Sequence, residues 1–213
     1  MGAIYEATWG RGFAAVYDRM FREMEENGLH DLRARSLAPA TGETIDIGAG
    51  TGLNLGLFPD AVSRLVLAEP NRHMASRLRQ KVDDEGSSAE VVEAPAEQLP
   101  FPDASFDTAA FTLVLCTVPD QEAALAEAAR VLRPGGRLMF LEHVRADNER
   151  TARWQDRLQR PWHFVAAGCH ANRDTEAAIR RSPFEIEDLE AGEIPKALPI
   201  MKPMIRGTAR LPA

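Results

Sequence analysis

Seven residues, Asp46-Ile47-Gly48-Ala49-Gly50-Thr51-Gly52, constrain this chain more than any other segment. They follow the run Thr44-Ile45-Asp46-Ile47, which reads as a strand, and open a stretch that reads as a helix through about Phe58. Glycines at this density let a backbone turn sharply out of a strand and approach a ligand closely. The spacing is G-x-G-x-G. A dinucleotide loop would be G-x-G-x-x-G, with its last glycine where this chain has Leu53. Asp46, two residues before the first glycine, would repel a pyrophosphate.

The surrounding pattern is that of an α/β chain. Before the loop, Phe13, Val16, Tyr17, Met20, Phe21 and Met24 fall on one helical face, Gly28 ends that helix, and Leu29 to Leu37 form another. From Thr44 onward, short apolar runs alternate with helical stretches, the signature of a parallel sheet wrapped by helices. Strand 2 is expected over 64–68, a helix over 71–82, strand 3 over 89–93 and strand 4 within 106–115. A helix ends before Pro134-Gly135-Gly136, and strand 5 covers 137–142. Residues 145–182 read as an inserted helical segment, with closing strands over 184–189 and 204–211.

Glu69 ends strand 2, and its two carboxylate oxygens can accept from both hydroxyls of a ribose. S-adenosylmethionine has no phosphate, while its ammonium and sulfonium suit an acid such as Asp46. The bland alternative is a tight strand-to-helix turn beside a solvated acid. The glycine spacing, Asp46 and Glu69 taken together favour the cofactor.

These residues resemble motif I and the acid after strand 2 of the class I S-adenosylmethionine-dependent methyltransferases. The resemblance continues through Ala94-Pro95-Ala96-Glu97-Gln98-Leu99-Pro100 to Asp107 and through Arg130 to Gly136, covering about residues 43–143. It implies a Rossmann-like fold: a seven-stranded, mostly parallel sheet with an antiparallel C-terminal strand, helices on both faces and a helical insertion after strand 5. It also implies a single methyltransferase domain, with 1–40 as an N-terminal helical lid, 41–144 as cofactor-binding core, 145–182 as cap and 183–213 as closing strands. The cofactor-binding candidates are Tyr17, Asp46, Gly48, Ala49, Gly50, Thr51, Gly52, Asn54, Glu69, Pro70, Ala96, Glu97 and Thr112. Many relatives have an Asp in the place of Pro95, which cannot accept from the adenine amino group, so the Ala96 amide and Glu97 are the substitutes.

A narrower resemblance lies in Phe111 to Val118, Leu141-Glu142-His143-Val144, Gln159-Arg160-Pro161-Trp162-His163, Gly168-Cys169 and Lys202-Pro203-Met204-Ile205. These segments look like the methyltransferase-like-seven family of microsomal alkyl thiol methyltransferases. This sequence is read as lacking their N-terminal membrane-anchoring helix. Quinone C-methyltransferases are more distantly similar. The resemblance implies methyl transfer to a small molecule, a thiol first, with a quinone carbon, an amine or a hydroxyl as alternatives. A cofactor-binding regulatory protein without turnover is the reading from another class.

On the acceptor side, His143 follows strand 5 and either takes a proton or orients the acceptor; the plainer role is a hydrogen bond into the cap. Glu142, Trp154, Trp162 and His163 are the substrate-side candidates. Cys116 and Cys169 read as small buried hydrophobes, and no local His, Cys or acid spacing suggests a metal. Net charge of −7 argues against a nucleic-acid partner, and no apolar run approaches the ~20 residues of a membrane span. Two cysteines and no signal-peptide pattern make the cytoplasm the expected compartment.

Overall fold

The computed structural model describes residues 21–166 and 168–213. Seven strands form one sheet: β1 (Gly42–Ile47), β2 (Val62–Ala68), β3 (Glu90–Val92), β4 (Phe106–Thr112), β5 (Leu132–His143), β6 (Glu185–Glu193) and β7 (Pro203–Arg210). Their order is β3-β2-β1-β4-β5-β7-β6. β1 pairs in parallel with β2 and β4, β2 with β3, and β4 with β5. β7 runs antiparallel to both β5 and β6. The expected sheet is therefore present, with β7 as its reversed strand.

The helices are α1 (His30–Leu37), α2 (Arg72–Asp84), α3 (Gln121–Val131), α4 (Glu149–Val165) and α5 (Thr175–Arg181). Four of them start on a side-chain cap: Asn71, Asp120, Asn148 and Asp174 each accept from a backbone N–H in the first turn. Alternation along the strands feeds two separate cores. Ile45, Ile47, Val66, Ala109, Phe111 and Phe140 pack with Ala124, Leu125 and Ala128 of α3. The opposite face sets Leu67 against Leu78 and Val82 of α2, and Ala110 and Met139 against Leu37 of α1.

Three boundaries differ from the sequence expectation. Residues after Gly50 form successive turns rather than a helix through Phe58. Gly52, Leu55 and Leu57 each donate to the carbonyl three residues back, at 2.9, 3.1 and 3.0 Å. Gly48, Gly50, Gly52 and Gly56 all hold positive φ, which a regular helix cannot contain. β5 starts at Leu132 because Leu132 already pairs with Phe106, and an irregularity accommodates Pro134-Gly135-Gly136 before pairing resumes at Arg137. β6 runs on to Glu193, since its pairing with β7 continues to Pro203. The helix break at Gly28 is present as expected, with φ +121° there. Among the described residues, no helix is long and apolar enough to cross a membrane.

Gly207 of β7 faces Leu189 of β6 and Phe140 of β5. A Cβ there would strike the Asp188 carbonyl oxygen and approach the Phe140 ring to 2.9 Å. Gly207→Ala is expected to lower unfolding free energy by about 1–3 kcal/mol, read by urea denaturation; an unchanged midpoint would contradict this register.

Candidate active site

The chain builds outward from β1 through β2 to β3, then returns to lay β4 on the other side of β1. Ligand crevices in such sheets open at the carboxyl ends where this reversal occurs. In register, Ile47 is opposite Ala68 and Phe111, and Phe111 is opposite Phe140. The residues just beyond these, Gly48, Glu69 and Thr112, therefore share one edge, with Glu142 and His143 closing β5 beside them.

The glycine loop is tied down on both sides. Gly48 and Ala49 N–H both donate to the Ala68 carbonyl, at 2.8 and 3.0 Å, and Lys81 Nζ donates to the Gly52 carbonyl at 2.7 Å. Its glycines have different reasons to be glycine. A Cβ at Gly48 would lie 2.6 Å from Val114, and one at Gly52 would lie 2.7 Å from Leu78. Gly50, at φ +59°, has nothing within 4 Å of that position. Of these three loop glycines, Gly50 is the one that faces open space. Glu69 is buried there: Oε2 accepts from Gly50 N–H at 2.9 Å and Oε1 from Asn71 N–H at 2.8 Å.

Next to it, Asn54 Nδ2 donates to both oxygens of buried Asp46, at 3.1 and 2.9 Å, and to Thr112 Oγ1 at 2.7 Å. Arg33 Nη1 donates to Asn54 Oδ1 and Thr112 Oγ1 at 3.1 and 3.2 Å, while its Nε pairs with Glu25 at 3.0 Å. Burial pushes the Asp46 carboxyl up to about 6, against its bonds from Asn54 and the Arg33 charge. Burial also pushes Glu69 up to about 7, with the Asp46 charge adding and the two amide bonds opposing. Two carboxylates held this close in a dry place favour a cation. Arg33, only 3% exposed, was missed in the sequence. Its signal was there: position 33 falls between Leu29 and Leu37 at helical spacing, on the face buried in α1.

Of the other cofactor candidates, Ala49, Thr51 and Ala96 are buried and Pro70 is exposed. Glu97 Oε1 accepts from the Asp120 N–H at 3.2 Å, at the start of α3. Tyr17 lies outside the described residues.

The acceptor-side candidates separate. Glu142 is fully buried, and its carboxylate accepts from the N–H groups of Val114, Leu115 and Cys116 at 2.8, 2.9 and 3.3 Å. These three bonds make it a clamp on the loop after β4. Burial nevertheless holds its carboxyl above the ordinary range. Arg173 grips the same loop from the carbonyl side, donating to Leu115 and Val118 at 2.6 Å each. His143, 2% exposed, places Nε2 2.9 Å from Cys169 Sγ, and Trp162 Nε1 donates to that sulfur at 3.3 Å. Cys116 completes the group: its sulfur, that of Cys169 and a His143 nitrogen all lie within 4.8 Å of one another. A hydrogen bond from Cys116 holds the Cys169 thiol below its ordinary value against burial. The same bond and burial push Cys116 well up. Both cysteines are buried as expected, but in polar company. Trp154 is 49% exposed on the outer side of α4, with the Arg157 guanidinium 5.8 Å from its ring centre, so it does not join the buried group. His163 packs on His170 at 4.6 Å between ring centres.

Residues 45–140 match the family model described as a methyltransferase domain. The chain is 32% identical to the thiol S-methyltransferase TMT1B of Rattus norvegicus over 207 residues, covering 92% of this chain and 83% of the relative. The chain belongs to the class I S-adenosylmethionine-dependent methyltransferases. A second relative, the ubiquinone/menaquinone biosynthesis C-methyltransferase UbiE of Vibrio parahaemolyticus, is 34% identical over 192 residues, covering 83% of this chain and 73% of its own. A solved methyltransferase of Thermotoga maritima, described as a possible histamine N-methyltransferase, shares the fold with a TM-score of 0.69. It is 24% identical and covers 99% of this chain and 100% of its own. The methyltransferase uses S-adenosylmethionine, whose charged groups are a sulfonium, an ammonium and a carboxylate. The open space at Gly50, the two buried acids and the buried Arg33 guanidinium suit that set of charges.

Removing the Glu142 carboxylate leaves three amides without their acceptor, at about 1–3 kcal/mol for each one that stays buried and unpaired. Glu142→Ala is expected to lower the unfolding free energy and to abolish amide-exchange protection at 114–116. Protection retained in a folded variant would contradict the clamp.

Proposed function

We propose that this methyltransferase moves the methyl group of S-adenosylmethionine to the sulfur of a small thiol. The observation that supports sulfur as the acceptor is the His143–Cys169 contact: the imidazole ending β5, on the edge that holds Glu69 and Thr112, is already packed against a thiol. The similarity to TMT1B extends over 92% of this chain, beyond the cofactor-binding half.

In this reading Glu69 receives the ribose hydroxyls, and the space above Gly50 admits the cofactor. Ala49, Thr51, Gly48 and Gly52 shape the loop beneath it, while Pro70, Ala96 and Glu97 flank the adenine. Asp46, Asn54 and Thr112 face the amino-acid end, with Asp46 opposite the cationic groups and Arg33 opposite the carboxylate. When bound, S-adenosylmethionine supplies a methyl group already activated by the sulfonium. The leaving thioether is neutral and needs no acid, so the protein's tasks are alignment and keeping the acceptor sulfur anionic. A free thiol has a pKa of about 8.5. His143 works on that side, and Trp162 and His163 wall the acceptor's approach.

Both site acids must be anionic to meet a cationic ligand. Cofactor affinity is therefore expected to rise with pH through about 6 to 7 and then level off. Without cofactor the sign reverses. The folded state keeps these protons where the unfolded chain has released them, so their contribution to stability is full below the ordinary carboxyl range and is lost as pH rises through 6 to 7. Calorimetric titration across this range tests both statements; a flat affinity would remove the two acids from the site. Glu69→Ala should weaken binding by about 1–3 kcal/mol. His143→Ala should slow methylation of a thiol such as 2-mercaptoethanol while leaving cofactor affinity near that of the parent; equal losses in both would take His143 off the acceptor side.

A further inference from the structure

We infer that Cys116, His143 and Cys169 form a binding site for one zinc-class divalent cation, with a fourth position open to the acceptor's sulfur. The metal site stands on the geometry alone; the role of its open position rests on the thiol reading above.

Two sulfurs and an imidazole nitrogen, all buried, lie within 4.8 Å of one another. They arrive from three places distant in sequence: the loop after β4, the end of β5, and the loop between α4 and α5. Two thiolates and an imidazole are the donor set that zinc selects over harder cations. Zinc bonds of about 2.3 Å to sulfur and about 2.1 Å to nitrogen separate tetrahedral ligands by roughly 3.5–3.8 Å. The group needs only small side-chain adjustments to reach those separations. Two thiolates also balance the charge of a divalent ion.

The ligands are held from behind. The loop bearing Cys116 has no regular structure, yet Glu142 takes its N–H groups and Arg173 its carbonyls, and His170 N–H donates to the Cys116 carbonyl at 2.8 Å. Trp162 Nε1–H on Cys169 Sγ is an outer hydrogen bond of the kind that orients a ligating atom. Three protein ligands leave the fourth position of a tetrahedral zinc site to a ligand from outside the chain, as in catalytic rather than structural sites.

In the open position the acceptor RSH would bind through sulfur and release its proton to solvent. The resulting thiolate then attacks the methyl carbon, giving the methyl thioether and S-adenosylhomocysteine. The cation thus supplies the activation of sulfur, and His143 acts as a ligand through Nε2.

The test begins with the reduced, chelator-stripped protein. It is titrated with zinc against a chromophoric chelator, and with cobalt(II) while the near-ultraviolet thiolate-to-cobalt absorption is followed. The expected result is one ion per chain, with Cys116→Ser and Cys169→Ser each weakening binding by about 100-fold or more and dimming the cobalt band. Circular dichroism and S-adenosylmethionine titration check that the variants are folded. Wild-type protein that takes up no stoichiometric zinc would overturn the site without recourse to any variant. Cysteine variants that bind as tightly as the parent would also overturn it. Stoichiometric zinc with no methylation of any thiol keeps the site and removes the thiol acceptor. Thiol methylation undiminished in the stripped protein keeps the acceptor and overturns the open-position role.

Discussion

The parallel register of β1, β2, β4 and β5 is the constraint on which everything else depends. Once Ile47, Ala68, Phe111 and Phe140 are aligned, the next residues have no choice of location. Gly48, Glu69, Thr112 and, at the end of β5, Glu142 and His143 all arrive at one edge of the sheet. Helix packing on both faces excludes water there, so the acids that arrive are buried and reluctant to ionise. Their raised pKa values follow from burial at the strand ends.

The edge divides into two halves with different chemistry. Around β1 and β2 the groups are carboxylates, an amide and an open glycine, suited to a charged nucleoside. Around β4 and β5 the groups are sulfur and imidazole, backed by a tryptophan. Glu142 joins the halves: with Arg173 it fixes the path of the loop that holds Val114 and Cys116. Val114 in turn fills the space that a side chain at Gly48 would need, so the two halves are packed against each other.

The strand-loop-strand geometry around β1 and β2 was legible because its signal is local. Asp46, the glycine spacing and Glu69 lie within a single strand-loop-strand unit, and the strand alternation is written in short apolar runs. The expected helix after Gly52 failed because Gly56, within that stretch, also holds positive φ. The group around β4 and β5 was less legible because it is assembled across long separations. Cys116, His143 and Cys169 show no ligand spacing along the chain, and only the pairing of β4 with β5 and the return of the cap bring them together. Arg33 was hidden by its neighbours, since one cation on an apolar helical face reads as a surface residue until Asn54 and Thr112 are seen against it. Trp154 is half exposed on α4, where it lines a surface cavity with Arg150, Arg153 and Arg157, apart from the buried group.

The most direct test of the whole account is to supply S-adenosylmethionine labelled with carbon-13 at the methyl, together with an equimolar mixture of a thiol, a hydroquinone and an amine, and to locate the label by nuclear magnetic resonance and mass spectrometry. The account predicts a labelled S-methyl thioether as the main product, formed in proportion to S-adenosylhomocysteine. Label on a ring carbon or a nitrogen, with the thiol untouched, would contradict it.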